Sequence, residues 1–271
     1  MEENSSVYRR TNQEFEDRQM IVQDARGQEN NFSLDRNGFC WGQWGGPTEW
    51  GDISAAGLKE MGHEKIQQGY IKAVERFIKG EVEEQDGETV EFVKVFDYKL
   101  QSSSDMGAFY KKNLNPADGL DTLIPVTHPH VDQSFDGAVA RLHAHFGDDV
   151  VRLLKRRFRI INVWKPLSKV ENWPLALCDS ASVDFQDLIA TDTVRRKYVG
   201  ETFYSTFNPK QLWYYLSNQK RDEVAMLKIY DSNESATARF NLHSSFCLPD
   251  AEGWGERESF EIRAFVFDRE H

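Results

Sequence analysis

The sequence predicts a mainly β protein with flanking helices, an α+β chain arranged as a sandwich or barrel with helical support. Three observations lead there. Helical periodicity is confined to two stretches before residue 157, the last hundred or so residues hold several short strand-forming runs, and composition shifts nowhere enough to mark an internal boundary.

In chain order, residues 35–50 (DRNGFCWGQWGGPTEW) combine glycine with Trp41, Trp44, Trp50 and a proline. Such a segment is expected to be irregular, either a lid over a pocket or a loop whose aromatics cover the core. From Ala55 to Lys79 the apolar residues Leu58, Met61, Tyr70, Val74, Phe77 and Ile78 recur mostly at three- and four-residue steps, which predicts an amphipathic helix stopped by Gly80. Residues 89–100 (TVEFVKVFDYKL) are rich in strand formers. A second helix is expected over Phe135–Arg156, capped by the Ser134 hydroxyl, with Val139, Leu142, Phe146, Val150 and Leu154 on one side. RFRIINVW follows as a strand, and LWYYLS, VAMLKIYD, ARFNLHSSF and SFEIRAFVF supply the rest. A single domain over 1–271 is expected, with 1–80 as loop and helical support and 88–271 as the β core.

Composition narrows the function. The chain carries 33 Lys and Arg against 44 Asp and Glu, a formal charge of −11, and its cations are scattered apart from Lys155–Arg159. That excludes a phosphate-binding surface of the kind nucleic acid requires. No run approaches the length of a membrane span, and residues 1–18 are polar, so a cytoplasmic location is expected. Cys40, Cys178 and Cys247 are odd in number and widely spaced, which favours reduced thiols over a thiolate zinc site.

The most informative segment is residues 126–134, VTHPHVDQS, where His130 and Asp132 stand two apart after Pro129. Pro129 rules out a helix, and in extended chain positions i and i+2 face the same way. An imidazole and a carboxylate therefore aim at one spot, and a distant histidine completes a facial two-histidine, one-carboxylate set. Three ligands on one face suit iron(II), leaving two positions for a chelating 2-oxo acid and one for oxygen. His243, inside ARFNLHSSF, is the one histidine after His145 other than His271, so it is the natural third ligand.

Further on, RESFEIRAFVF places Arg257, Ser259, Glu261 and Arg263 on one face of a strand. A guanidinium inside a strand calls for an anionic partner, and the distal carboxylate of 2-oxoglutarate is one that it grips bidentately. Pairing of Arg263 with Glu261 or Asp268 is the competing reading.

HVDQS, RFRIINVWKPL, PLALCDS, YVGETF, NPKQLWYYLS, EVAMLKIYDS, ARFNLHSSF and RESFEIRAFVF together resemble a fungal and bacterial family of hydroxylases and desaturases, related in name to cephem methoxylase components and including meroterpenoid-tailoring oxygenases. The resemblance implies a double-stranded β-helix (jelly-roll) core, Fe(II), 2-oxoglutarate and O2 dependence, and a place in secondary metabolism. His130, Asp132 and His243 match its metal pattern, and Asn162 and Trp164 match its NVW segment, with a cosubstrate or pocket role. Two departures stand out: FDYKLQSS replaces the more usual FDHxxR, and Gln211 stands where relatives often carry histidine, which implies that position 211 is not a ligand.

Two other classes compete. His128 with His130 and Asp132 spells THPHVD, the start of the zinc hydrolase pattern HxHxDH, although Gln133 breaks it. A noncatalytic partner subunit that keeps the fold is the second. His143 and His145 diverge on a helix and are not a metal pair. The expected substrate is a small apolar molecule, with a terpenoid or meroterpenoid suited to the tryptophans, and the expected assembly is a homodimer.

Overall fold

The computed structural model describes residues 12–44, 46, 53–87, 89–104, 106, 115, 117–195, 198–249 and 254–269. Among these residues two sheets face each other. One has seven strands in the order β1 (Val22–Asp24), β9 (Trp213–Tyr215), β6 (Leu175–Cys178), β11 (His243–Ser245), β4 (His130–Val131), β8 (Tyr198–Ser205) and β7 (Leu188–Arg195). The other has five, in the order β2 (Phe39–Gln43), β10 (Glu223–Asp231), β5 (Phe158–Pro166), β12 (Glu258–Asp268) and β3 (Val90–Ser102).

The topology is that of one long hairpin rolled on itself. β3 pairs with β12, β4 with β11, β5 with β10 and β6 with β9, all antiparallel. Rolling then brings β12 onto β5 and β11 onto β6. Successive strands change sheet, and this is the double-stranded β-helix, or jelly roll. The β7–β8 hairpin is an insertion that extends the seven-stranded sheet beside β4. β1 and β2, from the N-terminal part of the chain, add an outer strand to each sheet.

Residue alternation assigns each strand face a role. In β5, Ile161 and Val163 pack outward beneath helices α2 (Ala55–Lys65) and α3 (Ile71–Asp86), in one core with Leu58, Tyr70, Val74 and Ile78. Ile160 and Trp164 point between the sheets, in a second core with Val131, Leu177, Leu227, Phe265 and Phe267. Fully burying such side chains contributes about 2 kcal/mol each, enough to fix the register of strands covered on both faces.

Several expectations are corrected. The predicted irregular segment contains a short helix, α1 (Leu34–Asn37), and strand β2. Trp44 stacks on Phe77 with centroids 5.1 Å apart, so it covers the helix–sheet core, while Trp50 lies outside the described residues. Gly80 does not stop the first helix: nothing lies within 4 Å of its added Cβ position, and the helix runs on to Asp86, where Gly87 at φ 67° forms the left-handed cap. The same stretch kinks at Gly62 (φ 70°) and passes through a π-helical turn, Ile66–Tyr70. Ser134 does cap α4 (Phe135–Phe146), its Oγ accepting from Gly137 N at 2.9 Å. That helix ends at Gly147, whose φ of 52° and ψ of −124° suit glycine alone, and α5 (Val150–Leu153) follows after a 3₁₀ turn. Leu153 is therefore buried and Leu154 is exposed.

Candidate metal centre and cosubstrate pocket

The HxD segment is held by its neighbours in the fold. His130 begins β4 and pairs with Tyr204 of β8 on one side and His243 of β11 on the other. Just beyond, Thr202 Oγ1 donates to the Asp132 carbonyl at 3.1 Å, and Ser134 N donates to Glu201 O at 2.9 Å. α4 docks so tightly here that a Cβ on Gly137 would meet Glu201 O at 2.3 Å. The chain thus leaves β4 in a fixed direction, and the His130 and Asp132 side chains share one cavity.

Ligating atoms of His130, Asp132 and His243 lie within 4.8 Å of one another. His130 Nε2 is 3.6 Å from Asp132 Oδ1, and the two imidazole centroids are 4.3 Å apart. His130 Nδ1 is 2.8 Å from the His128 carbonyl, and His243 Nδ1 is 3.2 Å from the Asn241 carbonyl. A carbonyl only accepts, so each Nδ1 carries the proton and each Nε2 presents a lone pair, the tautomer that a metal requires. Burial, then the nearby His130, pushes His243 down to about 3, so it is neutral. Burial would raise Asp132, yet Arg263 and the two histidines outweigh it and hold the carboxyl well below its ordinary range.

The expected cosubstrate residues separate into two groups. Arg263 is fully engaged with acids: Nε lies 3.1 Å from Asp132 Oδ2 and 3.2 Å from Glu261 Oε1, and Nη1 lies 3.3 Å from Asp97. Asn162 Nδ2 donates to Asp132 Oδ2 and to Glu261 Oε1, both at 2.7 Å. Burial raises Glu261 against the pull of Arg263. Asp268 pairs with Arg159 rather than with Arg263.

Arg257 sits immediately before β12, fully buried, and donates to the neutral acceptors Trp173 O (3.1 Å), Ser245 Oγ (2.9 Å) and Gln101 Oε1 (2.6 Å). Its guanidinium lies 5.3 Å over the Trp164 ring, and its Nε has no partner. Among the described residues it forms no ion pair, and burial pulls its pKa down from the usual range. Trp173, whose carbonyl it contacts, holds the left-handed φ of 53°, a strained conformation that tends to occur at functional positions.

Gln101, Trp164 and Ser245 reach into a cavity of about 180 Å³ that also contains the histidine–aspartate cluster. Its apolar wall is Leu123, Ile124, Val126, Leu175 and Leu227. Sequence reasoning missed Gln101 and Ser245. Ser245 follows His243 by two residues in the same strand, so the i, i+2 rule that selected Asp132 also reaches it.

The residues of the hydrolase pattern do not gather. His128 turns from the cluster and stacks on Phe15, with centroids 3.7 Å apart. Gln211 bonds Ser205 and Trp213, outside the cavity. His145 packs against Phe96 and Phe265. No helix among the described residues is long and apolar enough to cross a membrane.

A family model described as an oxidoreductase/YMDC permease-like domain matches residues 1–267. The hydroxylase/desaturase CTB9 of Cercospora beticola is 35% identical over 269 residues, covering 93% of this chain and 77% of that protein. The hydroxylase/desaturase efuI of Hormonema carpetanum is 31% identical, covering 95% and 86%. Among solved structures, the iron and alpha-ketoglutarate-dependent endoperoxidase NvfI superposes with a TM-score of 0.73 at 27% identity, covering 92% of this chain and 85% of that one.

Proposed function

The chain belongs to this oxidoreductase family, with the hydroxylase/desaturases, and from that premise we propose that it is an iron(II)- and 2-oxoglutarate-dependent dioxygenase whose metal is held by His130, Asp132 and His243. The observation that carries the reading is the convergence of two carbonyl-oriented imidazoles and one ionised carboxylate beside a buried arginine that forms no ion pair among the described residues.

Within this reading Arg257 anchors the distal carboxylate of 2-oxoglutarate, because an incoming carboxylate would satisfy its unpartnered Nε and neutralise its charge. Ser245 and Gln101 hold the guanidinium in place for it. Arg263 and Asn162 keep the Asp132 carboxylate ionised and oriented. When bound, iron(II) with 2-oxoglutarate and O2 supplies an oxidant that removes hydrogen from an organic substrate. The chain's part is to hold the substrate beside that centre and exclude water, and Leu123, Ile124, Val126, Trp164, Leu175 and Leu227 provide apolar walls for it.

We read the substrate as an apolar secondary metabolite of the terpenoid or meroterpenoid kind, on the strength of those walls and the adjoining open groove of about 870 Å³. Hydroxylation, desaturation and endoperoxidation all fit such a site. A homodimer is supported by the exposed Val194 and Val199, cross-strand partners on the β7–β8 hairpin that a second copy would cover. A cytoplasmic setting agrees with three free cysteines. The reaction is tested by oxygen-dependent release of succinate from 2-oxoglutarate with added iron(II). Release by the parent protein and none by His243→Ala is expected, and equal release by both would refute the assignment.

A further inference from the structure

His130 is braced from a side that the oxygenase reading leaves unexplained. Its Nδ1 is tied to the carbonyl of His128, which lies in a bend outside any strand. A carbonyl orients a ring only if the bend that carries it is itself held. A backbone bond from Ser205 N to Pro129 O (3.2 Å) holds one side of that bend, and Phe15, more than a hundred residues upstream, holds its side chain: the ring lies flat on the His128 imidazole, with centroids 3.7 Å apart and planes 9° apart. The same ring meets Tyr204 edge-on at 5.7 Å, and Tyr204 is the β8 register partner of His130. Phe15 thus touches two neighbours of His130, the one that accepts from its ring and the one beside it in β8, yet it remains 49% exposed and belongs to neither hydrophobic core. Residues 12–20 have no regular structure and run along the groove across the seven-stranded sheet, which shares Ser244 and Ser245 with the metal cavity.

We propose that Phe15 is a positioning residue for the metal ligand His130, clamping His128 so that its carbonyl holds the ring by Nδ1 and keeps Nε2 aimed at the metal. The inference rests on the oxygenase reading above. Loss of an outer-shell partner of a metal-bound histidine typically weakens metal affinity by about 10–100-fold. Because the brace is a stacked ring and a backbone carbonyl, any flat ring at 15 or 128 serves, whereas the His128 imidazole nitrogens play no part.

The experiment is anaerobic calorimetric titration of the full chain with iron(II), alongside its unfolding midpoint. Phe15→Ala and His128→Ala are expected to weaken affinity at least about tenfold while the midpoint moves little. Phe15→Tyr and His128→Phe, which keep the stack, are expected to bind near the parent value. Phe15→Leu, apolar but unable to stack, gives a second reading should alanine fail to fold, and is expected to be weak. Parental affinity in Phe15→Ala or Phe15→Leu would overturn the inference, as would His128→Phe binding as poorly as His128→Ala, which would make the imidazole a ligand. Failure of the unsubstituted protein to bind iron(II) would remove the oxygenase reading and this inference with it, an outcome distinct from the others.

Discussion

His243 and His130 are direct register partners across β11 and β4, and their ring centroids are 4.3 Å apart. Two strands distant in sequence place two imidazoles side by side, the arrangement that the proposed iron(II) site requires. Binding to the folded state alone stabilises it by about 2.7 kcal/mol at a hundredfold excess over Kd. For a chain of this size that corresponds to a rise in Tm of roughly 5 °C. Differential scanning calorimetry with iron(II) and 2-oxoglutarate is expected to show this rise in the parent and none in His243→Ala. An equal rise in both would place the binding site elsewhere.

Arg257 supplies the test of cosubstrate anchoring. Lysine at this position keeps the charge but loses the planar fork, so Arg257→Lys is expected to raise the KM for 2-oxoglutarate by roughly 10–100-fold. Iron(II) affinity should be unchanged, since Arg257 bonds Trp173, Ser245 and Gln101 rather than His130, Asp132 or His243. Loss of both together would indicate a damaged cavity rather than a missing anchor.

Asn162 bonds two carboxylates at once. Asn162→Ala removes one of the two side chains that donate to both Asp132 and Glu261, leaving Arg263 to hold the pair, and iron(II) affinity is expected to fall by about tenfold. Direct metal titration checks this, and an affinity within experimental error of the parent would show that Arg263 alone suffices to hold Asp132.

Away from the site, Asp231 is wholly buried and receives Arg157 at 2.7 Å and Lys228 at 2.9 Å, with Asp35 completing the cluster. Asp231→Asn removes one of the two carboxylates that share Arg157 and Lys228 and leaves Asp35 as their counter-charge, so it is expected to cost about 3 kcal/mol, at the low end for a broken buried pair. Burial would raise Asp231, but the Arg157 hydrogen bond and Lys228 outweigh it and depress the carboxyl below its unfolded value near 3.8. The unfolded chain therefore binds the proton first, and this stabilisation, present above that value, is lost as pH falls through the lower folded one. Urea unfolding between pH 5 and 3 should show a shallower decline in the variant than in the parent.

The parts of the fold that could be read from sequence were those with local causes. Ser134 caps its helix through its own hydroxyl, and His130 and Asp132 share a cavity because the chain is extended through His130–Val131 after Pro129 before it bends at Asp132. What escaped depended on distant partners. β5 and β10 are buried at every position, including Arg159, Lys165, Lys228 and Asp231, because helices cover one face and the second sheet the other, so no polar alternation marks them. Gly80 and Gly87 look alike in sequence, yet only Gly87 adopts a positive φ. The β7–β8 hairpin was missed because residues on both its faces meet water. Gln101 and Ser245 became recognisable only when folding brought Arg257 between them.

The measurement that bears most directly on the central claim is anaerobic addition of iron(II) and then 2-oxoglutarate to the metal-free protein, followed by visible absorption spectroscopy. Bidentate chelation of a 2-oxo acid to protein-bound iron(II) gives a weak charge-transfer band. The account predicts that the band appears only when both are present and is absent from Asp132→Ala. No band in the parent, or an undiminished band in Asp132→Ala, would contradict it.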